Sequence, residues 1–189
     1  MEENNQAVKE SAVKPAAKEK KEKSAIREIV EAVVIALVIT FVIRSFVVDI
    51  FRIPSPSMVP TIEVGDRVVV TRFSYWFDGP ARGDVVVFKY PNNEKVDYIK
   101  RVIGLPGETV AFQDNTLYIN GEAVEEPYLP EGTITVDFGP IEVPENSYFM
   151  CGDNRQNSSD SRSWGFVDQS LIVGKGQCIY WPVGHMGGL

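Results

Sequence analysis

The sequence predicts a mainly β protein: a domain of antiparallel strands preceded by one membrane-crossing helix. Three observations predict it. Residues 29–51 form a long, nearly uninterrupted apolar run. Beyond it, short runs rich in Val, Ile, Tyr and Phe alternate with turn residues, the pattern of a many-stranded antiparallel domain. Among these, Asn120-Gly121 separates two such runs, and Asn-Gly supplies the positive φ angles of a type I′ hairpin turn.

Taken in order, residues 1–28 are a Lys-rich tail with few large apolar side chains. Such a stretch buries too little surface to fold alone and is expected to be disordered. Residues 29–51, at about 1.5 Å per helical residue, reach across roughly 30 Å of hydrocarbon. Glu31, Arg44 and Asp49 interrupt the run, the first and last near its ends. A buried soluble helix is seldom apolar all round. A cleaved leader has a shorter core followed by a small-residue cut site, whereas Phe46, Val47, Val48 and Asp49 stand here. An uncleaved single-pass anchor is therefore expected. Lys9, Lys14, Lys18, Lys20, Lys21, Lys23 and Arg27 precede the span and only Arg52 follows closely, which puts the N-terminus in the cytoplasm. Residues 52–189 then form an extracytoplasmic domain at the plasma membrane.

Strands are expected at Asp66–Thr71, Asp84–Tyr90, Asp97–Gly104, Ser147–Cys151 and Gln177–Trp181. Thr116–Ile119 and Glu122–Val124 flank the Asn-Gly turn, and Pro106-Gly107 suits a tight turn.

The net charge of −7 makes nucleic acid a poor partner. Through Arg44 there are 8 Lys/Arg and 7 Asp/Glu, net +1; the other 11 and 19 give −8, so the larger part is anionic. Cys151 and Cys178 belong to no CxxC pair, so a zinc site is not expected, and no metal or other cofactor is. The two cysteines either pair or act as small buried apolar residues, and the second reading is favoured. The sole histidine, His185, lies in the tail, where a Ser-His-Asp hydrolase would need its base.

A lysine base fits better. Ser57 follows the apolar run in Ile53-Pro54-Ser55-Pro56-Ser57-Met58-Val59-Pro60-Thr61. The prolines stiffen this segment and favour an extended backbone, in which Ser55 and Ser57 project to the same side. Lys100 lies in a strand, where it and Arg101 face opposite ways, one inward and one toward solvent. A strand lysine is ordinarily a surface residue. Buried, its ammonium loses hydration, its pKa falls, and the neutral amine can take a serine proton. The polar run Gly152–Arg162 reads as a turn-rich loop, or as a hydrogen-bonded shell in which Asp153 or Asp160 pairs with Arg162 and Ser158 orients the lysine. A calcium loop is disfavoured by Arg155 and by the spacing.

Together these segments resemble the bacterial type I signal peptidases, membrane-anchored Ser-Lys proteases. The resemblance spans residues 29–182. It rests on Ser57–Thr61, Gly65–Val70, Tyr98–Glu108 and Gly152–Arg162, in that order behind a membrane span. It implies Ser57 as nucleophile, Lys100 as general base, and the Ser55 hydroxyl with the Ser57 N–H as oxyanion donors. It further implies a Ser158 bond to the lysine, an Asp160–Arg162 ion pair, and Ile53, Met58, Tyr98 and Ile99 lining pockets for small side chains. The implied substrates are signal peptides of exported preproteins, bound extended beside strands and cut after Ala-x-Ala. Pro56 departs from the family, many of whose members carry glycine there, and the large inserted cap of some members is absent. The main rivals are a self-cleaving repressor, which needs a DNA-binding domain where the apolar run stands; a sortase, which needs catalytic Cys and His; and a non-catalytic membrane-anchored binding domain.

Overall fold

A computed structural model describes residues 25–46 and 48–189. The expected disordered tail lies outside the described residues up to residue 24, and its last residues, 25–28, are helical and open α1. The chain divides into two units, Met1–Ile39 and Thr40–Leu189, and the second contains the strands.

Helix α1 spans Ala25–Phe46. Val33, Val34, Ile35, Leu37, Val38 and Ile39 are all exposed, so the helix is apolar round its whole circumference. Arg27 Nε pairs with Glu31 Oε1 at 3.0 Å, one turn apart. Among the described residues, no helix is long and apolar enough to cross a membrane. The expected span of 29–51 is also corrected at its far end. The helix stops at Phe46, and Val48–Arg52 is strand β1. That segment exchanges helix for a ladder with β2 (Arg67–Thr71), in register from Val48 opposite Thr71 to Arg52 opposite Arg67. Asp49 there meets Arg72 at 2.6 Å, a partner invisible to a reading of the apolar run alone.

The remaining strands are β3 (Val85–Tyr90), β4 (Asn93–Gly104), β5 (Thr109–Gln113), β6 (Thr116–Ile119), β7 (Glu122–Val124), β8 (Phe138–Glu142), β9 (Ser147–Cys151), β10 (Val167–Asp168), β11 (Ile172–Trp181) and β12 (Gly187–Gly188). A short helix, α2, occupies Ser161–Trp164. One antiparallel sheet runs β1-β2-β11-β3-β4-β9-β10, with β12 also on β11; a smaller one runs β7-β6-β5-β8. Asn120 and Gly121 adopt φ of 53° and 84°, so the predicted hairpin turn forms.

Strand β3 shows why the large sheet stays ordered. Val85 and Val87 enter one apolar cluster with Ile53, Met58, Ile62, Val68 and Ile99. Val86 and Phe88 enter another with Val102, Tyr148 and Met150. Alternating residues are thus buried on both faces, as suits a central strand. A third cluster, built on Val110, Phe112, Leu117 and Phe149, fills the smaller sheet. Cys151 is buried in it and unpaired, and Cys178 is also a free thiol.

The C-terminal tail is tied to the domain. His185 Nδ1 lies 2.8 Å from Asp66 Oδ2, and β12 pairs with Cys178 and Ile179 of β11.

Candidate active site

Ser57 is carried by a turn and not by the extended segment expected from its prolines. The Val59 N–H donates to Pro56 O at 3.1 Å and the Ile62 N–H to Met58 O at 3.0 Å. The reason is packing: Met58 and Ile62 are wholly buried, and their side chains draw the turn onto the core. This also corrects the expectation that Met58 lines a substrate pocket, because nothing of it faces the groove.

Lys100 reaches the turn from the middle of β4. There it stands opposite Val86 of β3, and its long side chain extends to the serine turn. Nζ lies 2.7 Å from Ser57 Oγ and donates to Ile99 O at 2.8 Å. Lys100 is 3% exposed and Ser57 7%. Burial lowers the lysine pKa from its ordinary 10.5 to about 8, against an opposing pull from the Asp160 and Asp153 carboxylates. A pKa near 8 leaves roughly a tenth of the amine neutral at pH 7.

Arg101 points the other way but does not meet solvent, as one of the two residues was expected to. Its guanidinium grips Asp153 through Nε at 2.9 Å and Nη2 at 2.6 Å. It also lies over the Tyr128 ring at 4.0 Å. A second carboxylate contact comes from Thr61 Oγ1, which donates to Asp153 Oδ2 at 2.6 Å. Asp153 thus ties β4 to the serine turn and does not pair with Arg162.

Asp160 is the residue that pairs with Arg162, at 2.8 and 2.7 Å. Burial pushes the Asp160 carboxyl up, but Arg162 and the Gly152 N–H outweigh it and hold the group below the usual carboxylate value. The neighbouring Ser158 hydroxyl adds to this depression, although its buried Oγ makes no hydrogen bond of regular geometry. In particular it makes none to Lys100, contrary to the expectation. Ser158 is wedged against Gly152, where an added Cβ would stand 2.3 Å from both Ser158 Oγ and Ser57 O. Only glycine lets this loop approach the nucleophile turn so closely.

One contributor escaped the sequence reading. The Asn154 side chain donates to Pro56 O at 3.1 Å, and its backbone N–H donates to Ser57 O at 3.1 Å. Asn154 lay inside the polar run already singled out, but nothing in the sequence marks which of its amides bridges to residue 56. Two successive carbonyls of the turn are thereby fixed. Among the described residues no hydrogen bond occupies the Ser57 N–H, which stays free to donate. Ser55 Oγ lies 3.4 Å from Ser57 Oγ.

A groove of about 320 Å³ opens beside this pair, lined by residues 54–57, by Tyr98 and Ile99 of β4, and by Asn157 and Ser159. Next to it, a small hollow of about 40 Å³ is walled by Ile53, Val87, Tyr98 and Ile99. A larger hollow, about 550 Å³, lies over β6 and β7, but its lining holds no serine, lysine, cysteine or histidine.

A hydroxyl against a desolvated amine, with an unoccupied N–H beside it and a groove in front, is an arrangement that can serve acyl transfer with lysine in place of histidine. Comparison with known proteins narrows the class. The family model described as signal peptidase, peptidase S26, matches residues 26–181. A signal peptidase I of Leptolyngbya laminosa is 42% identical over 184 residues, covering 93% of this chain and 89% of that protein. A signal peptidase I of Bacillus licheniformis is 41% identical, covering 85% and 91%. A crystal structure of a signal peptidase I from Enterococcus faecalis is 41% identical, with 51% of this chain and 95% of that one covered at a TM-score of 0.46. The chain belongs to the signal peptidase family, peptidase S26, and is an enzyme of that family.

Proposed function

We propose that this enzyme removes N-terminal signal peptides from exported preproteins by acyl transfer, with Ser57 as nucleophile and the neutral amine of Lys100 as general base. The observation that carries the reading is the 2.7 Å contact between a lysine and a serine that are both buried. As Ser57 Oγ attacks the substrate carbonyl, Lys100 takes its proton. Negative charge develops on the carbonyl oxygen and is met by the Ser57 N–H and the Ser55 hydroxyl. The Lys100 ammonium then protonates the departing amine. Water, deprotonated by the same lysine, cleaves the acyl-enzyme and restores the serine.

The signal peptide lies extended along the part of β4 that precedes Lys100. Strand β9 pairs with β4 only from Arg101 onward, so residues before it present an open edge to a peptide strand. The hollow bounded by Ile53, Tyr98 and Ile99 is the size of an Ala side chain, which supports cleavage after small residues. Asp160, Arg162, Asp153 and Ser158 act at one remove, by holding the loop that braces the serine. Helix α1 anchors the enzyme in the bilayer, with its N-terminus cytoplasmic and the β domain outside. The support is an exposed apolar helix surface, preceded in the sequence by the lysine-rich tail.

Incubation of detergent-solubilised enzyme with a preprotein bearing Ala-x-Ala tests the reading. Ser57→Ala and Lys100→Ala are each expected to abolish cleavage. Lys100→Arg is expected to fail as well, because a guanidinium keeps its proton. Full activity of the arginine variant overturns Lys100 as the base.

A further inference from the structure

A second groove, of about 330 Å³, begins where the first ends. Two segments run through both. The serine turn lends Pro54, Ser55, Pro56 and Ser57 to the first groove and Val59 and Pro60 to the second. The polar loop lends Asn157 and Ser159 to the first and Asn154, Arg155 and Gln156 to the second. The bonds from Asn154 to Pro56 and Ser57 join the two segments at the divide. The ridge between the grooves therefore sits at the nucleophile itself. We infer that the second groove holds the preprotein residues that follow the cut bond, and that Glu131 on its outer wall selects among them by charge. This rests on the proposed peptidase reading, in which the acyl half lies along β4.

The outer wall is preformed. Pro130 to Thr133 is a turn closed by the Thr133 N–H to Pro130 O at 3.2 Å and by Thr133 Oγ1 to the same oxygen at 2.7 Å. Gly132 holds φ at 77°, a value that favours glycine. The Thr135 N–H donates to Asn115 Oδ1 at 3.0 Å and pins the wall to the smaller sheet. Val59, Pro60, Pro130 and Ile134 supply the apolar part of its lining, and polar side chains supply the rest. Of its charged side chains, Asp153 is neutralised by Arg101 and Arg155 by Glu126. Glu131 has no ion-pair partner among the described residues and is exposed. A peptide strand leaving Ser57 over the ridge meets this carboxylate as the one uncompensated charge.

The test uses the full chain in detergent and a preprotein series with Lys or Glu at each of the first few positions after the cut. At one of these positions the wild type is expected to prefer Lys over Glu in kcat/KM by about three- to fivefold, the scale of an exposed ion pair. Glu131→Lys is expected to reverse that preference, and Glu131→Gln to bring it near unity. Glu122→Lys, an equal charge change on β7, is expected to leave it as in the wild type. An unchanged preference in Glu131→Lys overturns the assignment. A second measurement does not depend on turnover. A preprotein with benzophenone shortly after the cut, bound to Ser57→Ala, is expected to crosslink within residues 130–134, and crosslinks confined to other segments overturn the proposal. Cleavage that survives Ser57→Ala would instead overturn the catalytic reading on which the groove depends.

Discussion

At the scale of single residues, Lys100 sets the terms. A lysine in water is protonated far above neutral pH and cannot accept a proton. Here burial has brought it to about 8, because the ammonium has exchanged hydration for two hydrogen bonds and a mostly apolar surround. In the proposed mechanism the base must be neutral, so activity is expected to follow the deprotonated fraction. Below pH 8 that fraction rises tenfold per unit, and above it saturates. The expected result is that kcat/KM climbs with unit slope from pH 6 and levels just above pH 8, as measured on a peptide substrate without titrating groups. A plateau reached near pH 6.5, the value of an ordinary histidine, would remove Lys100 from the role. What the sequence could supply here was a serine, a lysine and the near-absence of histidine. It could not supply the burial that lowers the lysine pKa, since β4 reads equally well with Lys100 on the outside.

At the scale of elements, the site is two loops and a strand held together by buried ion pairs. Arg101 and Asp153 lie 52 residues apart and are both nearly inaccessible. Removing one partner strands a charge in the interior, which costs about 3–5 kcal/mol. Asp153→Asn is therefore expected to lose stability on that order in chemical denaturation, whereas Thr61→Val, which removes one hydrogen bond to the same carboxylate, is expected to lose about 2 kcal/mol. Equal losses in the two variants would mean that Arg101 finds another partner. This pairing marks the limit of reading from sequence. Asp160 and Arg162 are two residues apart, and their contact was among the alternatives considered. Asp153 had the same local alternatives and took a distant one. Similar limits apply to the strands. The β2, β3, β6 and β9 segments are β-branched or aromatic runs with turns at their ends, β7 follows the Asn-Gly turn, and all five were legible. Strand β1 was not, because Val48, Ile50 and Phe51 continue the apolar run of α1 without a break. Strand β8 carries Gly139-Pro140, which argues against a strand, and it forms only because it is the edge of the smaller sheet, where a missing donor is tolerated.

At the scale of the whole molecule, α1 presents an apolar surface that needs covering. Ile29, Val33, Leu37 and Phe41 are more than half exposed. Left in water, such a surface would drive association. A bilayer accommodates it, but not freely. The uncharged part of the helix runs from Ala32 to Ile43, about 18 Å at 1.5 Å per residue, short of a hydrocarbon core of about 30 Å. Spanning therefore draws the charged ends of the helix toward the lipid. The Arg27–Glu31 pair lessens that cost at one end by cancelling two charges across a single turn. The full chain is expected to stay with the membrane pellet through alkaline carbonate, which strips proteins that merely lie on the surface. The Glu31→Ala variant leaves Arg27 unpaired at the helix end and is expected to be retained less completely. Quantitative release of the unaltered chain by carbonate would mean that α1 rests on the bilayer or against a protein partner. In that event the active site would need another means of meeting substrates at the membrane surface.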